Sequence, residues 1–276
     1  MRLRAVLPVV LGALLTVATV AGCGGGDGAK ASDSGAPLKI GASQVPHAQI
    51  LKFVADNLAK DKGLKLEVKE FTDYVQPNTA LADGSLDANY FQTPPFLDNF
   101  KAKSGAKLEW IVGVHIEPLG LYSNKIKKIA DLANGAKIAV DNDPANENRA
   151  LKLLEANGLI KIKPEVAAAN KATIRDLAEN PKNLQFVELE AAQVPRSLDD
   201  TDASVINGNY AIKIGKKPAT DALVLEKAEN NPNVNGLVTR AELKDDKRIK
   251  DLAELLQSQQ VKDFIKKTYD GSVLPV

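Results

Sequence analysis

Residues 137–154 read KIAVDNDPANENRALKLL, and the plan of the chain is clearest there. Ile138-Ala139-Val140 is a short apolar run of the kind that forms a buried strand. Asn142, Asp143 and Pro144 make a turn. Ala150, Leu151, Leu153 and Leu154 then fall on one helical face. Asn146 is read as the N-cap, because its side-chain oxygen can accept an unpaired first-turn N–H. That choice puts Arg149 in the first turn, at the edge of the apolar stripe. A guanidinium there needs a partner. One partner is a small carboxylate, bound with the helix N–H groups and the positive end of the dipole, at a strand's carboxyl end where open α/β sheets take ligands. The other is Asp143 or Glu147, in a solvated ion pair.

Outward from this stretch, strand and helix alternate. Apolar runs at 38–42, 64–71, 86–92, 108–114 and 119–123 read as strands. Ile50, Leu51, Val54 and Leu58 define a helix after Pro46, and Pro94-Pro95 starts another. Alternation of this kind predicts an α/β class with largely parallel sheets. The pattern then repeats. KIGA at 39–42 followed by a helix is echoed by KIAV at 137–140, and LADGSLDANY at 81–90 by SLDDTDASVINGNY at 197–210. Two α/β lobes of similar design follow, the first formed by 38–121 with 237–276 and the second by 122–236. Amphipathic helices at 247–256 and 261–269 return to the first lobe, and lobes sharing two crossings close like a hinge.

The first residues are a targeting segment. Arg2 and Arg4 precede an apolar run at 5–20, too short to span a bilayer with ease and followed by Val20-Ala21-Gly22-Cys23. This resembles a lipoprotein signal over 1–22, with Cys23 as the lipidated residue. Cys23 is the single cysteine of the 276 residues, so an internal disulfide is excluded. Two acyl chains would hold the protein at the extracytoplasmic face of the cell membrane. Residues 23–37 are rich in Gly, Ala, Ser and Asp and read as a flexible tether.

A net charge of +1 argues against nucleic acid as a partner. Aromatics are 5% of the chain, and several sit with polar residues at strand ends. Tyr74, Tyr90, Phe91, His115, Asn142, Arg149, Asn207, Asn209 and Asn235 all fall there. Arg149 suits a carboxylate, asparagine carbonyls suit an ammonium, and aromatic walls suit an apolar tail, a thioether above all. Together they describe an α-amino acid. Each also has a plainer reading. Asn207-Gly208-Asn209 is a turn sequence, His115 a structural histidine, Glu117 a surface residue before Pro118, and His47 a cap-region residue. The chain lacks a nucleophile–histidine signature and a glycine-rich phosphate loop. Two histidines without a thiolate give no zinc spacing. His115 with Glu117 is the one acid–base pair on offer, so a two-lobed enzyme acting on a small amino acid stands as the alternative.

Five segments carry a resemblance to a known family: VPHAQILKFV (45–54), FTDYVQPNTALADGSLDANYFQ (71–92), VHIEPLGLYS (114–123), AVDNDPANENRALKLLEANGLI (139–160) and ENPKNLQFVELEAAQVPRSLDDTDASVINGNYA (179–211). They resemble the NlpA/MetQ family, the methionine-binding lipoproteins of ABC importers. The resemblance implies a two-lobed periplasmic-binding fold, type II-like, with two mixed, mainly parallel sheets and an interlobe cleft. It implies a monomer with no enzymatic activity, cofactor or metal, and partners that are L-methionine, D-methionine or a methionine dipeptide together with an ABC permease and its ATPase. It further implies that Arg149 holds the ligand carboxylate and that Asn207 and Asn235 hold the head group. Tyr74, Tyr90, Phe91 and His115 would line the side-chain pocket, with Asn142 and Asn146 shaping the Arg149 loop. Glu147 and Asn148 depart from the family pattern.

The anchor is directly testable. Cys23→Ala should move the protein from the membrane to the soluble fraction on cell fractionation; retention equal to the native chain refutes lipidation at Cys23.

Overall fold

The computed structural model describes residues 35–276. The signal segment, Cys23 and most of the tether lie outside these residues. Strand β1 (Leu38–Ser43) leads through a helical turn at Gln44–Ala48 into α1 (Gln49–Asn57). Then come β2 (Leu66–Phe71), α2 (Gln76–Ala82), β3 (Ala88–Gln92), α3 (Pro94–Ser104) and β4 (Leu108–Ile116). The chain crosses to a second sheet with β5 (Gly120–Tyr122), β6 (Lys137–Asp141), α4 (Pro144–Ala156), β7 (Lys161–Ile162), α5 (Pro164–Ala169) and β8 (Leu177–Glu179). That sheet is completed by β9 (Gln185–Leu189), β10 (Ala203–Ile206), α6 (Gly208–Lys213), α7 (Pro218–Asp221) and β11 (Val224–Leu225). The return brings β12 (Val234–Arg240), α8 (Lys247–Leu256), α9 (Gln259–Tyr269) and β13 (Leu274–Pro275).

The two sheets share one plan. The first runs β13-β4-β12-β3-β1-β2 and the second β11-β5-β10-β6-β9, while β7 and β8 pair apart. In each, a parallel trio (β2-β1-β3 or β9-β6-β10) is joined on one side by an antiparallel strand, β12 or β5. The echoed sequences occupy matching places, since β1 corresponds to β6 and β3 to β10. The parallel share is smaller than the sequence suggests. Beyond each trio the pairing is antiparallel, because β12, β4, β5 and β11 run between lobes or edges without a crossover helix. This is a mixed α/β, two-lobed periplasmic-binding architecture.

Burial follows strand position. Central β3 reads ANYFQ and is buried along its whole length, whereas edge strand β2 is largely exposed. Inside β3 a ring of amides replaces apolar packing. Asn78 Nδ2 donates to Gln92 Oε1 at 2.8 Å, and Asn89 Nδ2 and Gln92 Nε2 both donate to Asn78 Oδ1. Fully satisfied amides of this sort are tolerated in a core and fix α2 against β3. At Gly236 a Cβ would lie 2.3 Å from the Trp110 ring and from the Val112 carbonyl, so only glycine fits where β12 slips its register against β4.

The last helices pack on the first lobe. Ile249, Leu252, Leu256, Val261 and Ile265 join Ile50, Leu51 and Val54 of α1 in one cluster. Each such side chain contributes about 1.5–3 kcal/mol by leaving water. The second sheet has its own cluster, built from Ile138, Val140, Leu151, Leu154 and Val205. Among the described residues no helix is long and apolar enough to cross a membrane. Ile265 has no exposure, so Ile265→Ala should cost about 2–5 kcal/mol in urea unfolding; a loss under about 1 kcal/mol would detach α9 from this core.

Candidate functional site

The helix start read from sequence needs correcting. Helix α4 begins at Pro144, and Asp143 is its N-cap, its carboxylate accepting from the N–H groups of Ala145 (2.9 Å) and Asn146 (3.1 Å). Asn146 is therefore inside the first turn, and Arg149 is in the second. Pro at the first helical position and Asp before it are the stronger local signal. The first-turn N–H groups that were to greet a ligand carboxylate are already taken by Asp143.

Arg149 is 8% exposed and pairs with neither Asp143 nor Glu147. Its Nε donates to Glu226 Oε1 at 2.9 Å, and its Nη2 donates to Glu226 Oε2 at 2.5 Å and to the Glu117 carbonyl at 2.9 Å. Burial raises the Glu226 pKa, but the hydrogen bond and charge of Arg149 outweigh it and hold the carboxyl below its usual range. Glu226 Oε2 also accepts from the Leu119 N–H at 3.1 Å. Nη1 of Arg149 makes no hydrogen bond among the described residues. Glu147 and Asn148 face inward instead, accepting from the N–H groups of Ile174 (2.8 Å) and Ala172 (3.1 Å). They tie α4 to the chain that follows.

Beside Arg149 lies a cleft between the two sheets. Its polar end is formed by Glu117, Asn146, Arg149, Asn207 and Asn235, and its apolar wall by Tyr74, Phe91 and Phe96. Asn207 precedes α6 and donates from Nδ2 to Asn146 Oδ1 at 3.0 Å. Its own Oδ1 is left for the cleft. The turn reading of Asn207-Gly208-Asn209 therefore gives way to a helix start facing the cavity. Tyr74 donates to Asn209 Oδ1 at 2.6 Å, while Tyr210 donates back to the Thr72 carbonyl at 3.0 Å. These paired bonds link the segment after β2 to α6.

Not every expected residue reaches the cleft. Tyr90 and His115 have no exposure and lie behind the wall rather than in it. Asn142 lines a second, larger groove with Asp73, Lys103 and Glu190, which meets the first at Tyr74 and Phe96. Phe96 and Glu226 were missed in the sequence. Phe96 sits two residues into the proline-started α3, where spacing assigned only helix. Glu226 is an isolated acid with no local motif, and nothing short of its three-dimensional partner identifies it.

Behind the cleft, the surface reading of Glu117 fails, while His47 does sit in the helical turn before α1 but is buried there. Glu117 is 5% and His47 1% exposed. His115 Nε2 lies 2.8 Å and His47 Nε2 3.2 Å from Glu117 Oε1. His47 Nε2 also lies 3.0 Å from Asn235 Oδ1. A carboxylate and an amide oxygen only accept, so both Nε2 atoms carry hydrogen, and His115 Nδ1 accepts from the Tyr90 hydroxyl. Burial drives the His47 pKa down to about 4, and that of His115 to about 3. It pushes Glu117 up, opposed by His47, the Asn209 backbone and Arg149. The nitrogen and oxygen atoms of His47, His115 and Glu117 lie within 4.8 Å of one another. That donor set suits a zinc-type ion in kind, but its atoms are already paired by these hydrogen bonds, and an ion would have to displace the protons.

Two sheets of matching strand order, joined by two crossings and meeting over a polar cleft, place this chain among two-lobed solute-binding proteins. The chain belongs to the NlpA lipoprotein family, whose model matches residues 38–276. It is 41% identical over 271 residues to the methionine-binding lipoprotein MetQ of Bacillus subtilis, covering 96% of this chain and 97% of that protein. It is 41% identical over 269 residues to the D-methionine-binding lipoprotein MetQ of Escherichia coli, covering 96% and 95%. Among solved structures, a nutrient-binding protein from Burkholderia cenocepacia bound to methionine aligns with a TM-score of 0.84 and 45% identity, over 86% of this chain and 99% of that one.

Asp141, at the end of β6, supplies a test of these electrostatics. It is 3% exposed, and its Oδ2 has no partner among the described residues. Burial therefore raises its pKa to about 7. A carboxyl raised in the folded state binds its proton more tightly there than in the unfolded chain. Its contribution is most favourable in acid and is lost as pH rises through about 7. Asp141→Asn cannot ionise, so it should be more stable than the native chain at about pH 8, with much of that gain gone at about pH 5. Equal gains at both pH values in denaturant titrations would refute a buried, raised carboxyl.

Proposed function

We propose that this chain is a lipid-anchored solute-binding protein that captures methionine outside the cytoplasm and delivers it to an ABC importer. The observation that carries the reading is the composition of the cleft: a buried guanidinium, a buried carboxyl and three amides at one end, three aromatic rings along the wall. That division matches a charged head group with an apolar, sulfur-bearing tail. The relatives named for methionine and the methionine-bound neighbour support it. In this reading Arg149 meets the ligand carboxylate through Nη1, with Glu226 fixing the guanidinium plane. Asn235, its Oδ1 held by His47, turns Nδ2 toward the same carboxylate. Asn207 presents its Oδ1 to the head group, and Tyr74, Phe91 and Phe96 surround the tail. Tyr90 and His115 act from behind as supports, and Asn142 shapes the groove outside.

The lobes meet at crossings between Ile116 and Gly120 and between Leu225 and Val234, so residues 117–119 and 226–233 would serve as the hinge. Lipidation at Cys23 would keep the monomer beside its permease. No catalytic step is part of this reading. Both ring nitrogens of His115 are occupied by Tyr90 and Glu117, which leaves none for proton transfer to a solute.

Calorimetry with L-methionine, D-methionine and glycyl-methionine tests the ligand class; absence of binding to all three overturns it. The carboxylate contact is tested on the native protein with methioninamide, which should bind at least about tenfold more weakly than methionine, as loss of one charged hydrogen bond requires. Arg149→Lys should also bind weakly, because an ammonium lacks the planar fork. Arg149→Ala is the poorer probe. It leaves buried Glu226 without its cation, which costs stability as well as affinity.

A further inference from the structure

Glu117 in the cleft is a buried carboxyl whose close ion-pair contacts are two histidines, with the Arg149 charge and the Asn209 backbone adding weaker support. Glu117 lines the cavity beside Arg149. Arg149 donates to the Glu117 backbone oxygen at 2.9 Å, while its charge is paired most closely with Glu226. The two histidines that touch Glu117 Oε1 are held neutral by burial, with pKa values of about 4 and about 3. A buried ion paired mainly with neutral donors is costly, and a cation that enters its site gains that cost back. Glu117 also packs closely against the start of α6. At Gly208 a Cβ would lie 2.7 Å from Glu117 Cβ and 3.2 Å from its Oε2. A side chain there would press on the carboxyl, so glycine lets it keep its place in the cleft lining.

We propose that Glu117 receives the ammonium of the ligand and makes a free α-amine a requirement of the site. The proposal deepens the reading of the cleft as an amino-acid site and rests on it. The geometry is that of a zwitterion receptor. In an α-amino acid both charges hang on one carbon, so their receptors must be neighbours, and Arg149 and Glu117 are joined directly. Oε1 is engaged by His115 and His47, which orients the carboxylate. His47 also fixes Asn235 through Oδ1, so one buried imidazole sets the direction of a group at each end of the head. Asn207 Oδ1 adds an uncharged acceptor on the opposite lobe. A carboxylate in this place favours an ammonium over a methyl or an amide nitrogen, because charge-assisted hydrogen bonds are roughly twice as strong as neutral ones.

The experiment compares methionine with its des-amino analogue, 4-(methylthio)butanoate, by calorimetry on the full-length chain and on Glu117→Gln. Native protein should prefer methionine by at least about tenfold. Glu117→Gln should lose at least about tenfold in methionine affinity while holding the des-amino acid as well as native protein does, so that the preference collapses. Glu117→Gln binding methionine as tightly as native protein overturns the assignment, and so does an equal loss for both ligands, which is the signature of a purely structural role. Should Glu117→Gln fail to fold, native protein decides alone, since a preference under about threefold refutes the ammonium contact. Native protein that binds neither compound overturns the amino-acid reading itself, and this inference with it. Native protein that binds both equally overturns the role of Glu117 and leaves that reading standing.

Discussion

The buried pair of Arg149 and Glu226 is the constraint on which the site depends. Arg149 belongs to α4 of the second sheet. Glu226 lies on the segment that returns to the first sheet, and Glu117, whose carbonyl Arg149 also grips, lies on the segment that leaves it. Backbone bonding reinforces the tie, for Glu226 N–H donates to the Leu119 carbonyl at 2.8 Å and its carboxylate accepts from Leu119 N–H. One guanidinium therefore joins both crossings to one helix. A desolvated pair is a weak source of net stability but a strong source of geometry, since breaking it strands a charge. That is the property the proposed hinge beside the cleft requires.

The matched sheets explain why the cleft is polar. Strands β1 and β3 of one sheet, and β6 and β10 of the other, point their carboxyl ends the same way within each trio. Backbone groups and short polar side chains collect at such ends. The first lobe contributes Glu117 and Asn235 backed by His47, His115 and Tyr90. The second contributes Arg149, Asn146 and Asn207. Neither set is complete alone, and hydrogen bonds from Tyr74 to Asn209 and from Tyr210 to Thr72 hold the two sides together at the mouth.

Much of this was legible in the residues. The alternation of strand and helix, the paired echoes at 39–42 with 137–140 and at 81–90 with 197–210, and the late amphipathic helices were all local patterns, and each has its place in the fold. Polar and aromatic residues at strand ends marked the cleft, because a parallel strand's end is fixed by its own sequence. The resemblance to the NlpA family rested on long ordered segments, and the family model covers the same chain.

What local sequence left open were the pairings. Arg149 had Glu147 two and Asp143 six positions away, yet its partner is 77 positions away. His47 read as a cap residue and is bonded to Asn235, 188 positions on. Glu117 before a proline read as surface and is among the most buried acids described. Asn146 read as a cap but lies one turn too late, because Asp143 with Pro144 competed for the same N–H groups and won. Composition and periodicity determine which elements form and which face is apolar, since those follow from neighbours along the chain. Charge pairing and burial depend on what the other lobe brings to the same point, so only the tertiary structure decided which polar residues of this protein face the cleft and which stand behind it.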